Sequence, residues 1–153
     1  MSKIDRALAE LGLTLPAVTK PLAAYVPAVV TGNLVFTSGQ LPMIDGVLAE
    51  AGKVGAEVSA ERGKELAQIC VLNALAAVAA EIGSLDRVTR IVKVVGFVAS
   101  DPGFLAQPSV VNGASELIGK LFGDLGTHAR SSLGVAVLPL DAPVEIELIV
   151  EFA

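Results

Sequence analysis

The segment Arg87–Ser100, RVTRIVKVVGFVAS, is a strand pattern that is largely apolar on both of its sides. Its β-branched content favours an extended chain. Period-two alternation puts Val92, Val94, Gly96 and Val98 on one side, and Ile91, Lys93, Val95 and Phe97 on the other. A sheet built around such a strand needs cover on both faces. The rest of the chain decides what is available to cover it.

Two long helical patterns are. Ser59 caps the first, with Glu61 in its opening turn, and it runs to about Ile82, with Gly83 just past its end. Along it Leu66, Ile69, Cys70, Asn73, Ala77 and Ala80 form an Ala-rich face suited to lying flat on a sheet. The second starts at Pro108 and Ser109, runs to about Phe122 and stops at Gly123. A short amphipathic helix opens the chain: Ser2 and Asp5 mark its start, Ile4, Leu8 and Leu11 share a face, and Gly12 ends it. LPAVTKPLAA then reads as an extended connector. Two β runs flank Thr31-Gly32-Asn33 as a hairpin. MIDGVLAEAGKVGAE reads as a loop with at most a short strand, and the last strands fall at about 131–138 and 144–152.

The order is helix, β-β, helix, β, helix, β-β, an α+β chain with one mixed sheet and two long helices packed on one face. Residues 1–153 read as a single domain, with 1–22 as an N-terminal helix-and-connector extension. No helix remains for the other face. Partner subunits are the expected cover. That also accounts for a mean hydropathy of +0.68, since no uncharged run of about 18 apolar residues marks a membrane span. The longest candidate, Ile69–Ile82, contains Asn73 and Glu81.

The net charge is −5 and the 11 basic residues are scattered. Nucleic-acid binding rests on clustered cations, so none is expected. The single cysteine, Cys70, reads as apolar filler. The N-terminus is too acidic for a signal or transit peptide, which makes the cytoplasm the expected location.

Three stretches carry a family likeness. NLVFTSGQLP (Asn33–Pro42), preceded by Gly32, resembles the G-x-L-V-F-x-S-G-Q-x-P signature of the RidA/YjgF family of reactive-intermediate imine deaminases, also known as the endoribonuclease L-PSP family. RSSLGVAVLPLDAPVEIE (Arg130–Glu147) resembles that family's C-terminal signature without a gap, and VVNGASELIGKLFG (Val110–Gly123) resembles the stretch where a Val-Asn pair opens the second helix. The resemblance implies a chorismate-mutase-like fold, with three chains packing their sheets into a central barrel and active sites in the clefts between subunits. It implies hydrolysis of small enamines and imines such as 2-aminoacrylate to 2-keto acids and ammonia. No metal or organic cofactor is implied.

The resemblance also assigns residues. Arg130 aligns with the arginine that grips the substrate carboxylate, a task that suits a planar fork of fixed charge. Glu145 aligns with the glutamate that handles the attacking water, on the strand that follows in sequence. A carboxylate half-sunk in an apolar strand is held toward its neutral form, which suits proton transfer. Glu147 shares its face, and periodicity alone leaves open which of the two enters the cleft. Tyr25 occupies the substrate-holding tyrosine position, although AAYVP replaces the usual G-P-Y-S surroundings. Ser38 and Gly39 sit in the N-terminal signature, as ligand contacts or as a strand-end turn. Asn112 is a substrate-side residue or a tie between helix and strand. Ser132 stands where many relatives carry cysteine, and remains able to hydrogen-bond a ligand. His128, the one histidine, reads as a rim residue. A serine-hydrolase triad lacks its G-x-S-x-G context. Two other functions stay open: a non-catalytic trimer that binds 2-keto acids and, less favoured, an RNA-directed activity.

Overall fold

The structure is a computed structural model that describes residues 1–21 and 23–153; Leu22, the last residue of the expected extension, lies outside the described residues. Helix α1 (Lys3–Glu10) begins in a capping box. Ser2 Oγ accepts from the Asp5 amide at 3.0 Å and the Asp5 carboxylate accepts from the Ser2 amide at 3.2 Å. Asp86 docks this helix onto the body by accepting from the Lys3 and Ile4 amides at 2.8 and 2.9 Å. Ile4 and Leu8 are buried, but Leu11 is exposed, so the expected apolar face stops one turn early.

The sheet strands are β1 (Ala28–Thr31), β2 (Leu34–Thr37), β5 (Val88–Ala99), β6 (Ala129–Val135) and β7 (Val144–Phe152). Between β2 and the first long helix, β3 (Met43–Ile44) and β4 (Val47–Leu48) form a separate small hairpin. It lies inside the stretch expected as a loop. Its turn residues, Asp45 and Gly46, adopt φ of 49° and 78°, the left-handed pair that an Asp-Gly dipeptide favours. The main sheet runs β1-β2-β7-β5-β6, antiparallel except for β5 and β6. The β5–β6 pair is parallel because helix α3 (Gln107–Phe122) joins the two as a crossover. The last two strands are therefore not neighbours: β5 lies between them. β6 also starts two residues earlier and ends three earlier than expected, because its ladder partner β5 ends at Ala99, opposite Val135.

Helices α2 (Ala60–Ile82) and α3 cover one sheet face. Ser59 Oγ caps α2 at the Arg62 amide (3.0 Å), and Gly83 ends it at φ 86°. By length and composition α2 is apolar enough to cross a membrane, yet most of it is buried within the domain, where it forms the central core helix. Leu66, Cys70, Asn73 and Ala77 of the expected face are buried, whereas Ile69 is only partly so and Ala80 is exposed. Val144, Ile146, Leu148 and Val150 of β7, with Val94 and Val98 of β5, form the sheet side of this core. Each fully buried side chain of this size contributes about 1.5–3 kcal/mol.

The central strand differs from its expected phasing. Ile91 pairs with Val150 but Lys93 pairs with Ile149, so Val92 is an extra residue in the ladder. This bulge re-phases the strand. Ile91 joins Val94 and Val98 on the helix face, and Val92 is left partly exposed. The opposite face carries Val29, Phe36, Val95, Phe97, Leu133 and Ile149, with Lys93, Glu145 and Glu147 among them. No described helix covers it. Val29, Phe36 and Leu133 are 54%, 40% and 47% exposed.

The two helices meet without a gap. Gly113 of α3 sits where an added Cβ would overlap the Lys64 backbone carbonyl of α2. Gly113→Ala is expected to force the helices apart and destabilise the fold by about 1–3 kcal/mol. At about 2–4 °C per kcal/mol for a domain of this size, thermal unfolding of the variant checks it.

Candidate active site: two half-sites on opposite sheet faces

Arg130 pairs in register with Val94, and Val94 is buried under the helices. Its side chain therefore rises on the helix face, at the outer strand β6. There its Nη1 donates to Asn112 Oδ1 at 2.7 Å and to Ser115 Oγ at 3.2 Å, both on α3. Arg130 Nε and Nη2 have no hydrogen-bond partner among the described residues, and the guanidinium forms no described ion pair. Those two groups lie along one edge of the fork, with parallel N–H bonds spaced to meet both oxygens of a carboxylate. Asn112 thus ties helix to strand and aims the fork at once. Ser132 pairs with Gly96 on the same face, and its buried Oγ has no hydrogen-bond partner among the described residues. A buried hydroxyl without a partner costs about 1–3 kcal/mol, which a ligand's polar atom would recover.

Glu145 pairs with Phe97 and so belongs to the open face. The expected placement of Glu145 on the strand beside Arg130 is corrected here. The two residues lie on β7 and β6, two strands apart, and point to opposite sides of the sheet. The carboxylate of Glu145 is seated against Gly39, where an added Cβ would overlap it. That is a packing reason for glycine in the Ser-Gly-Gln motif. Burial, and then the Glu147 charge, raise the Glu145 pKa above its ordinary value. Glu145 lines a cavity of about 260 Å³ with Thr19, Lys20, Tyr25, Gly39 and Gln40. Glu147 lies farther along the strand, beside Lys93, Phe36 and Thr37.

The remaining expected residues frame this cavity. Tyr25 is exposed at its wall. Ser38 Oγ donates to the Val26 carbonyl at 2.6 Å, which pins the segment that carries Tyr25. Beneath, the buried Asn73 amide donates to the Leu41 and Met43 carbonyls at 3.2 and 3.0 Å. The polar residue within the apolar helix thus holds the cavity's other wall. The connector supplies Thr19, Lys20 and Pro21, and Pro139 closes one side. Next to it Leu140 and Asp141 both adopt left-handed backbone at φ 60° and 59°, a strained pair of the kind that clusters at functional sites. Neither the connector's part in the cavity nor this strain has a sequence signal. Ser115 lies inside the Val110–Gly123 stretch without being marked out by it, and the use of His128 has no motif; the three-residue spacing of Asn112 and Ser115 on one helix was the one available clue.

Among the described residues no group of three His, Cys, Asp or Glu side chains converges as metal ligands do. The arrangement supplies a guanidinium with an open Nε–Nη2 edge and, on the other sheet face, a carboxyl group with a raised pKa.

The raised pKa of Glu145 has a consequence for stability. The neutral form is favoured by the fold, so its stabilising share is full below the ordinary value of 4.5 and is lost as pH rises through the raised one. Glu145→Gln does not titrate. Its melting temperature is expected to exceed that of the parent chain at about pH 7, with the gap closing below about pH 4; paired thermal melts at the two pH values check it.

Comparison with known proteins follows the same lines. Residues 5–152 match the family described as "YjgF/chorismate_mutase-like, putative endoribonuclease". The chain is 43% identical over 150 residues to Protein TCP17 of Trypanosoma cruzi, covering 97% of this chain and 94% of that protein. The crystal structure of Atu1372 from Agrobacterium tumefaciens superposes with a TM-score of 0.93 at 45% identity, covering 99% of this chain and 93% of that one. E. coli TdcF, solved with bound serine, superposes with a TM-score of 0.64 at 26% identity, covering 92% and 96%. With its fold, its signature stretches and a match over nearly its whole length in agreement, the chain belongs to the YjgF/chorismate mutase-like family.

Proposed function

We propose that this protein is an imine and enamine deaminase that works as a homotrimer, converting small 2-imino acids to 2-keto acids and ammonia in clefts between subunits. One observation carries the reading. A single chain holds two complementary half-sites that cannot meet: the Arg130 fork on the helix face and the Glu145 cavity on the open face. Packing the open apolar faces of three copies together would cover Phe36, Phe97 and Leu133 and bring the β6 edge of one copy to the cavity of the next. The bound serine in TdcF supports a small ligand with an α-carboxylate.

The chemistry follows from the two groups. Arg130 takes the substrate carboxylate through its free Nε–Nη2 edge, and Ser132 offers its hydroxyl to a neighbouring polar atom. Tyr25, at the cavity wall, closes on the bound ligand. An enamine such as 2-aminoacrylate first takes a proton from solvent at its terminal carbon and becomes the iminium form of the imine. Water then attacks the imine carbon: a C–O bond forms, the C=N π bond breaks, and the water's proton passes to Glu145. Glu145 returns the proton to nitrogen, the C–N bond breaks as ammonia leaves, and the hydroxyl gives its proton to the Glu145 carboxylate, and through it to solvent, as the C=O bond forms. A carboxyl group with a raised pKa suits this double duty. No cofactor and no nucleic acid enter this scheme, and the net charge of −5 supplies no field to attract RNA.

The test is ammonia and keto-acid release from imines generated in situ by an amino-acid oxidase. Arg130→Ala is expected to lower kcat/KM by about a hundredfold or more, the loss of two charge-assisted hydrogen bonds. Light scattering is expected to give three times the 15.6 kDa chain mass. Absence of turnover on every imine, with saturable keto-acid binding that needs Arg130, would replace the enzyme with a metabolite-binding trimer.

A further inference from the structure

The Arg130 fork is not held by Asn112 alone. Ser115 Oγ lies 2.9 Å from His128 Nε2, and His128 Nδ1 lies 2.6 Å from the Gly126 carbonyl oxygen. With a neutral imidazole, donor accounting gives each bond its direction. A carbonyl only accepts, so His128 Nδ1 carries the hydrogen. The neutral ring then presents Nε2 as an acceptor, and the single Ser115 hydroxyl hydrogen goes to it. That leaves the Ser115 oxygen lone pairs to accept from Arg130 Nη1 at 3.2 Å. The second Nη1 hydrogen goes to Asn112 Oδ1. Both hydrogens of Nη1 are thus placed, and the Nε–Nη2 edge stays open.

We infer that Ser115 and His128 are positioning residues: a chain running from the Gly126 carbonyl through His128 and Ser115 locks the guanidinium of Arg130 so that its open edge is set for one planar carboxylate. The inference rests on the reading of Arg130 as the carboxylate anchor. Backbone geometry supports it. Asn112 and Ser115 are three apart on α3 and so share a face, while His128 and Arg130 are two apart at the start of β6 and share a side. Gly126 ends the 3-10 turn after α3, and a Cβ there would press on the Ile118 carbonyl oxygen at 2.9 Å. The turn can therefore bring its carbonyl under the ring only as glycine. A free arginine side chain loses much rotamer freedom on binding; here that loss is borne in folding, and ligand binding gains from it.

Serine 115 offers the test, with Ser115→Ala removing the hydroxyl and Ser115→Thr keeping it. His128→Phe keeps a ring and removes both nitrogens. The first readout is the nitrogen-15 NMR signal of the Arg130 side chain. Slow rotation of its guanidinium is expected in the parent chain and in Ser115→Thr, and faster, averaged rotation in Ser115→Ala and His128→Phe. The second readout is steady-state kinetics on an in-situ imine, where Ser115→Ala is expected to raise KM about two- to tenfold with kcat nearly unchanged. An Arg130 signal in Ser115→Ala like that of the parent chain would overturn the inference, as would Ser115→Thr behaving like Ser115→Ala. Failure of the carboxylate role itself shows separately, as Arg130→Ala leaving KM unchanged, while the NMR signal still reports whether the chain of bonds holds the guanidinium.

Discussion

One sheet with one face covered governs this molecule. Val144, Ile146, Leu148 and Val150 lie beneath α2 and α3, while Phe36, Val95, Phe97 and Ile149 look the other way. Because strand side chains alternate strictly, every residue of β6 and β7 is committed to one side or the other. Arg130 falls with the buried set, where α3 can supply Asn112 and Ser115 as partners. Glu145 falls with the open set, where no described cation pairs with it and burial raises its pKa. The division of the site into two halves is a consequence of pleat parity.

The same parity gives each half a distinct electrostatic character. The Arg130 half is rigid and hydrogen-bonded, with one edge satisfied and the other open. The Glu145 half is a cavity whose walls are mostly apolar: Pro21, Ala23, Pro27, Leu41, Met43 and Pro139. An apolar wall disfavours the ionised carboxylate, and the missing side chain of Gly39 leaves room for it. A fixed cation for a permanent anion and a titratable acid for a moving proton are what hydrolysis of an imino acid asks for.

Much of the surrounding structure serves to hold these walls. Asn73 is a buried polar residue in the central core helix, and its position is explained by the two carbonyls it satisfies at Leu41 and Met43. Ser38 does the same for Val26. In both cases the described partner of the side chain is backbone. A hydrogen-bonding side chain in a motif is therefore weak ground for assigning it a ligand contact before its partner is known.

The sequence by itself determined the order of the long elements, both ends of α2, the end of α3 and the uncovered sheet face, and the family resemblance singled out Arg130 and Glu145. Caps, glycine stops and hydrophobic period are local signals, legible one segment at a time. It did not reveal the bulge at Val92, which re-phased Ile91, because a bulge depends on the partner strand's register. It did not reveal that β5 separates β6 from β7, since strand order is decided by how crossovers pack on the sheet. Nor did it link Gly126, His128 and Ser115 to Arg130, or the connector to Glu145. Those contacts join segments that no period connects, and only the folded chain brings them within hydrogen-bond range.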